Sequence, residues 1–178
     1  MPGDTCPHPL ITVGVTCFNS ERTIERAIRS ALAQRWPALE IVVVDDASSD
    51  DSPEILRHVA AGEPRIRLIL LDENRGVAAT RNAIVDNARG DFIAFFDDDD
   101  ESQPDRVARQ LDRIVAYEDA TGADLVICHT ARRQRFPDGR IVYEPTLGMD
   151  MTPGPHGDPL IDLFLLGKPI PGTTGTCA

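Results

Sequence analysis

Five residues that favour burial, Phe92-Ile93-Ala94-Phe95-Phe96, run directly into four carboxylates, Asp97-Asp98-Asp99-Asp100. A short continuous apolar run suits a strand covered on both faces, as in a parallel sheet. The carboxyl end of such a strand is where open α/β sheets place ligands. Four adjacent carboxylates repel one another, and a hard divalent cation such as Mg²⁺ or Mn²⁺ offsets that repulsion through oxygen ligands. An arbitrary acidic run is more often a solvated turn. Two things set this one apart: its place at a strand end, and a second acidic pair, Asp45-Asp46, closing another apolar run, Glu40-Ile41-Val42-Val43-Val44.

The remaining apolar runs alternate between strand and helix periods. Leu10 to Val15 reads as a strand, followed by a helix with Ile24, Ala27, Ile28, Ala31 and Leu32 on one face. Asn19 or Ser20 is placed to cap that helix, Glu21 suits its first turn, and Trp36-Pro37 ends it. After the Glu40–Val44 strand, Ser52 as N-cap and Pro53 at the first helical position open a helix that buries Ile55, Leu56 and Val59. Arg65 to Leu71 is a third strand. Gly76 precedes a helix over Val77 to Ala88, with Gly90 in the C′ place. Beyond the acidic run, Pro104 opens a helix bearing Val107, Leu111, Ile114 and Val115, and Asp124 to His129 reads as a fifth strand. This alternation predicts right-handed crossovers and a mostly parallel sheet flanked by helices.

After His129 the pattern changes. Arg132–Phe136 and Arg140–Tyr143, joined through Pro137-Asp138-Gly139, predict a hairpin. Thr146 to Gly157, rich in Pro and Gly, reads as a loop, Pro159 to Leu166 as a short helix, and Pro171 to Ala178 as the start of a strand. There is no internal repeat.

With 178 residues, the chain fits one domain, and 42% hydrophobic with 26% charged residues supports a real core. A net charge of −11 argues against nucleic acid or an anionic membrane surface as the main partner. Cys6, Cys17, Cys128 and Cys177 show no C-x-x-C spacing, so no structural zinc is expected and the reading is a reducing cytoplasm. No run reaches transmembrane length or has the form of a signal peptide.

In a parallel sheet Thr16–Asn19, Asp45-Asp46 and Asp97–Asp100 face the same way. A loop aromatic, Phe18, beside two acid clusters suits a nucleoside diphosphate, with a cation bridging carboxylates and phosphates. Neither G-x-G-x-x-G nor G-x-x-x-x-G-K-[ST] occurs, so the cation must carry most of the phosphate charge. A receiver-type phospho-switch also clusters Asp at strand ends, but the only lysine, Lys168, is misplaced for it. An Asp-nucleophile phosphatase is disfavoured because Glu101 stands two residues after Asp99. Asp45 and Ser48-Ser49 also read simply as a turn, Asn82 as a backbone partner, and Arg81 as a solvated helix residue. The four histidines have no metal spacing, and His129 alone lies at an expected strand end.

Several blocks occur in series: Ile11-Thr12-Val13-Gly14-Val15-Thr16-Cys17-Phe18-Asn19, Glu40-Ile41-Val42-Val43-Val44-Asp45-Asp46-Ala47-Ser48-Ser49-Asp50, Asn74-Arg75-Gly76, Ala79-Thr80-Arg81-Asn82-Ala83-Ile84, Gly90-Asp91-Phe92-Ile93-Ala94-Phe95-Phe96 and Asp97–Asp100 with Pro104 and Arg106. Taken in order from Pro9 to Leu111, they resemble the start of the family 2 inverting glycosyltransferases of the GT-A fold. The resemblance implies an α/β, Rossmann-like GT-A sheet with a hairpin and a loop-rich C-terminal portion. It implies a single domain over residues 1–178, truncated at the C-terminus, with 9–130 the nucleotide-binding half and 131–178 the start of the acceptor-side half. Asp97-x-Asp99 resembles the DxD motif, with Asp99 and Asp97 as metal ligands and Asp97 or Asp98 near the ribose. Asp46 resembles the carboxylate that reads the base. Thr16, Phe18 and Asn19 match the nucleotide-holding loop, with Phe18 where the family often has Tyr, and Arg81 matches a residue facing the nucleotide.

The implied activity is sugar transfer with inversion from a nucleoside-diphosphate sugar, with Mn²⁺ or Mg²⁺, to a saccharide, lipid or protein acceptor. It would serve polysaccharide or glycoconjugate synthesis, in the cytoplasm or peripheral to the inner face of the membrane. The family's catalytic base lies in an acidic motif downstream of DxD that this sequence is not expected to reach, so no catalytic residue is identified. Asp150 and Asp158 are the carboxylates to try first if the chain transfers sugar fully. The competing reading is a nucleotide-binding module or short form without transferase activity.

Overall fold

The computed structural model describes residues 8–123, 126–136 and 138–144. The chain divides after Arg109 into two compact units. The first holds β1 (Ile11–Cys17), α1 (Ile24–Leu32), β2 (Leu39–Asp45), α2 (Ser52–Ala61), β3 (Ile66–Leu70), α3 (Val77–Asn87), β4 (Phe92–Phe96) and the start of α4 (Arg106–Thr121). Its four strands lie in the order β3-β2-β1-β4, and every pairing is parallel. The β-branched runs form the centre of the sheet: Val13, Val15 and Ile41 to Val44 are fully buried.

Strand order dictates where the helices go. The steps β1 to β2 to β3 run one way across the sheet, and β3 to β4 returns past β1. With right-handed crossovers, α1 and α2 then cover one face and α3 the other. Accordingly α1 packs against α2, while Ile84 of α3 lies directly over Gly14 of β1, where an added Cβ would come within 2.4 Å of Ile84 Cγ2. Ile84 joins Val42 and Val44 in the core under α3, with Ile69, Ile93 and Phe95 packed around them. The reversal of direction puts a topological switch point between β1 and β4, and a crevice opens at such a point outside the carboxyl ends of the strands.

The loop after β4 is clamped to this unit. Arg106, mostly buried, donates to Ser102 Oγ at 2.9 Å and to the Phe95 carbonyl at 3.0 Å, and its guanidinium lies 4.2 Å from the centre of the Phe96 ring. Gln34 at the end of α1 donates to the Gln103 carbonyl and accepts from Val107 N–H.

The second unit contains the rest of α4 and an antiparallel hairpin of β5 (Arg132–Arg135) and β6 (Ile141–Glu144), with Gly139 at φ 83° in its turn. Both agree with expectation. The fifth strand is corrected: the described residues 126–130 form no strand. Ile127 is 74% exposed, and the Cys128 carbonyl accepts from the Gln110 side chain rather than from a ladder partner. The readings of Thr146–Gly157, Pro159–Leu166, Pro171–Ala178, Asp150 and Asp158 lie outside the described residues.

Three local expectations are also corrected. Asn19 and Ser20 do not cap α1, whose N-cap is Thr23, because their side chains bond to neighbouring loops. Ser52 is the first residue of α2 and its hydroxyl accepts from Ser20 N–H, while Asp51 takes the N-cap position. Gly90 is not a left-handed cap. The chain leaves α3 extended at Ala88, and Gly90 presses on β1, where a Cβ would lie 2.6 Å from Thr12 N and 2.8 Å from the Leu10 carbonyl.

That contact is with backbone, which cannot swing aside. Gly90→Ala is therefore expected to destabilise the fold by about 1–3 kcal/mol, the usual range for overpacking. Gly62→Ala, where a Cβ meets nothing within 4 Å, should leave stability nearly unchanged. Urea denaturation midpoints for both variants check this.

Candidate functional site

Register gathers the chemistry at one end of the sheet. Cys17, the last residue of β1, pairs with Asp45, the last of β2, and Val15 pairs with Phe96, the last of β4. The loops beginning at Phe18, Asp46 and Asp97 therefore leave the sheet side by side. An open cleft of about 500 Å³ lies there, lined in part by Asn19, Ser20, Thr23, Asp50, Asp98 and Asp99.

The acidic residues have different tasks. Asp45, buried, accepts from Ser48 N–H at 3.0 Å and Ser48 Oγ at 2.6 Å, closing the turn after β2. Asp46, also buried, accepts from Arg75 N–H and Gly76 N–H, each at 2.8 Å, through its two oxygens. It thereby holds the entry to α3, where Gly76 sits at φ 82°. Asp97 meets Arg81 of α3 at 3.2 Å. Asp98 accepts from Phe18 N–H at 3.0 Å and from the Ser20 hydroxyl. The Asp99 carbonyl accepts from Arg26 of α1 at 3.3 Å, while its side chain is exposed beside the cleft.

The loop after β1 is zipped to the loop after β2. Asn19, with φ 50°, receives Ser49 N–H on its side-chain oxygen at 2.8 Å and donates its own N–H to Ser48 Oγ at 2.8 Å. Ser20 N–H donates to Ser52 Oγ, and Glu21 N–H to Asp50. Phe18 projects from this loop 47% exposed, and Thr16 is half-buried at the end of β1. Thus Thr16, Phe18, Asn19, Asp46, Arg81, Asp97, Asp98 and Asp99 all belong to this end of the sheet or to the helix facing it. The sequence reading placed Ser20 and Ser52 only as helix caps and did not single out Arg26. Their signal was faint: hydroxyls and one arginine near the strand ends.

Two groups have clear electrostatics. Burial pushes the Cys17 thiol far above its ordinary range, and Asp45 and Asp98 push it further, so it stays protonated and is no nucleophile. Burial likewise raises the Asp97 carboxyl, with Arg81 pulling it down and Asp99 and Asp98 pushing it up.

Among the described residues no group of three His, Cys, Asp or Glu stands ready to hold a metal ion. The donor set is nonetheless all oxygen, with Asp99 exposed and Asp97 next but one to it. Mg²⁺-like cations use one or two carboxylates and complete their shell with substrate phosphates. The residues therefore fit a hard cation that arrives with a diphosphate, rather than one caged by protein alone. No helix among the described residues is long and apolar enough to cross a membrane.

Comparison with known proteins agrees with this architecture. A family model, Glycosyl transferase family 2, matches residues 12–178. The chain is 46% identical over 119 residues to the succinoglycan biosynthesis protein ExoO of Rhizobium meliloti, covering 67% of this chain and 32% of that protein. It thus spans about a third of the length of that curated relative. Among solved structures, TarS of S. aureus in complex with UDP-GlcNAc aligns with a TM-score of 0.57 at 26% identity, over 80% of this chain and 38% of TarS. A mannosyltransferase from Pyrobaculum calidifontis, in complex with GDP-Man and Mn²⁺, aligns with a TM-score of 0.55 at 29% identity, over 74% of this chain and 37% of that one. The sheet and its flanking helices are those of the GT-A fold.

The Asp97–Arg81 pair yields a pH test. A carboxyl whose folded pKa lies above its unfolded one favours the folded state at low pH, and that contribution is lost as pH rises through the folded value. Arg81→Gln removes the chief influence holding Asp97 down. The Asp97 midpoint, followed by carboxyl ¹³C NMR, should then move further up, and stability at neutral pH should fall. An unmoved midpoint would show that the two charges do not interact.

Proposed function

The chain belongs to glycosyl transferase family 2, and from that premise we propose that it binds a nucleoside-diphosphate sugar with Mn²⁺ or Mg²⁺ for transfer to an acceptor hydroxyl with inversion. The observation that carries this reading is the parallel pairing of β1 between β2 and β4. It brings an exposed aromatic, Phe18, and the carboxylates of Asp97 and Asp99 to the one place where such a sheet receives ligands. The nucleotide sugars named with TarS and the Pyrobaculum enzyme, and the Mn²⁺ named with the latter, support the same ligand class here.

In this reading Phe18 stacks on the base and Thr16 and Asn19 shape the loop around the nucleotide. Asp46 reads the base, since a carboxylate oxygen that accepts one backbone N–H retains acceptor capacity. Asp97 and Asp99 would hold the cation, and Arg81 balances charge beside Asp97. A cation so bound supplies electrostatic stabilisation of the departing diphosphate. The acceptor oxygen forms the new bond to the anomeric carbon as the bond to the diphosphate breaks, and the acceptor's proton passes to a carboxylate. None of the described residues is assigned that base. Residues 9–130 form the nucleotide-binding half in this scheme, with 131–178 on the acceptor side. The acceptor is a saccharide, lipid or protein in polysaccharide or glycoconjugate synthesis, a setting matched by ExoO's role in succinoglycan biosynthesis. The site of action is the cytoplasm or the inner membrane face.

Titration calorimetry with UDP and GDP, with and without Mn²⁺, tests the proposal. One of the two nucleotides should bind in a Mn²⁺-dependent way. Asp99→Ala should lower that affinity by at least about 10–100-fold, the scale on which metal sites respond even to loss of an outer partner. Equal affinity in wild type and Asp99→Ala would remove Asp99 from the metal role, and no binding of either nucleotide would overturn the reading.

A further inference from the structure

We infer that Asp98 is a positioning residue: its carboxylate acts on the bound nucleotide through Phe18, tying the metal-side loop after β4 to the base-side loop after β1. The inference rests on the nucleotide-sugar reading above and reassigns the middle carboxylate of the Asp97-Asp98-Asp99 run.

A single oxygen, Asp98 Oδ2, accepts both the Phe18 N–H at 3.0 Å and the Ser20 hydroxyl. Bonds to an ionised acceptor are about twice as strong as neutral ones. The two donors bracket Asn19, which sits in the left-handed region at φ 50°, so the carboxylate closes a tight bend around that residue. On its other side the same loop is already held by Ser48, Ser49, Ser52 and Asp50. Asp98 attaches it on the β4 side. Phe18 is 47% exposed, so packing alone does not set the direction of its ring. Its backbone does, and the Phe18 N–H belongs to Asp98.

The flanking carboxylates are placed differently. Asp97 meets Arg81, and the Asp99 side chain is exposed at the cleft. The chain turns here, with Asp100 N–H donating to the Asp97 carbonyl at 3.4 Å, so the three side chains meet different neighbours. A third negative charge between two others raises repulsion. The two loop bonds offset that cost. Consequently any shift of residues 97–99 on loading a cation is carried by one side chain to the aromatic that meets the base.

The test separates this role from metal ligation by using two ligands. Calorimetry in Mn²⁺ is run with inorganic pyrophosphate, which has no base, and with whichever of UDP or GDP the wild type binds. Asp98→Ala should lose about tenfold or more in nucleotide affinity, the loss expected for a charged hydrogen bond, and leave pyrophosphate affinity within about twofold. Phe18→Leu should lose a similar factor, the double variant little more than either single, and Asp98→Asn, which keeps one acceptor, should recover part of the loss. Equal losses for both ligands would make Asp98 a metal ligand and overturn the inference. So would unchanged nucleotide binding, or losses from Asp98→Ala and Phe18→Leu that simply multiply. Thermal melts accompany each variant; should Asp98→Ala not fold, Ser20→Ala and Asp98→Asn serve in its place under the same criteria. Wild-type protein that binds pyrophosphate and Mn²⁺ but neither nucleotide would instead bring down the nucleotide-sugar reading itself.

Discussion

The parallel pairing of β1 on both of its edges is the constraint from which the site follows. Parallel strands send all their carboxyl ends in one direction, so loops far apart in sequence are forced together. With β2 on one side and β4 on the other, β1 delivers Phe18 between the two acidic clusters. An antiparallel neighbour would have carried one cluster to the opposite end of the sheet. Gly14 serves the same arrangement, because a side chain there would collide with Ile84 and push α3, and Arg81 with it, away from the sheet.

The high density of carboxylates at this end is tolerated because most are spent on backbone. Loop N–H groups lack ladder partners and must be satisfied somehow. Asp45 takes Ser48, Asp46 takes Arg75 and Gly76, Asp50 takes Glu21 and Ser52, and Asp98 takes Phe18. Each bond spreads a negative charge over donors that water would otherwise occupy. The acidic character of these loops is therefore largely structural, while Asp97 meets Arg81 and the Asp99 side chain is left exposed. The Cys17 thiol is held protonated chiefly by its burial, with Asp45 and Asp98 adding to the effect.

Elements were readable from the chain wherever apolar periodicity was strong. The β2 and β4 runs, the stripe Ile24-Ala27-Ile28-Ala31 and the hairpin around Gly139 all formed where the pattern put them. Caps and ends were less readable. Asn19, Ser20 and Ser52 have the chemistry of helix caps, but found donors or acceptors on adjacent loops instead. Gly90 has the composition of a helix stop and serves a close contact with β1. Asp124 to His129 has a strand's composition, but in its described part Ile127 stayed exposed and a side chain took the Cys128 carbonyl.

The sequence by itself determined the alternation of strand and helix, hence a parallel α/β sheet with acidic residues at strand ends, because burial patterns are local and repeat within a few residues. Only the tertiary structure decided which carboxylate does what. Asp98 meets Phe18 across 80 positions, Asp46 meets Gly76 across 30, and Asn19 meets Ser49 across 30. Adjacent aspartates are chemically equivalent until the fold brings Arg81 to Asp97 and the loop after β1 to Asp98.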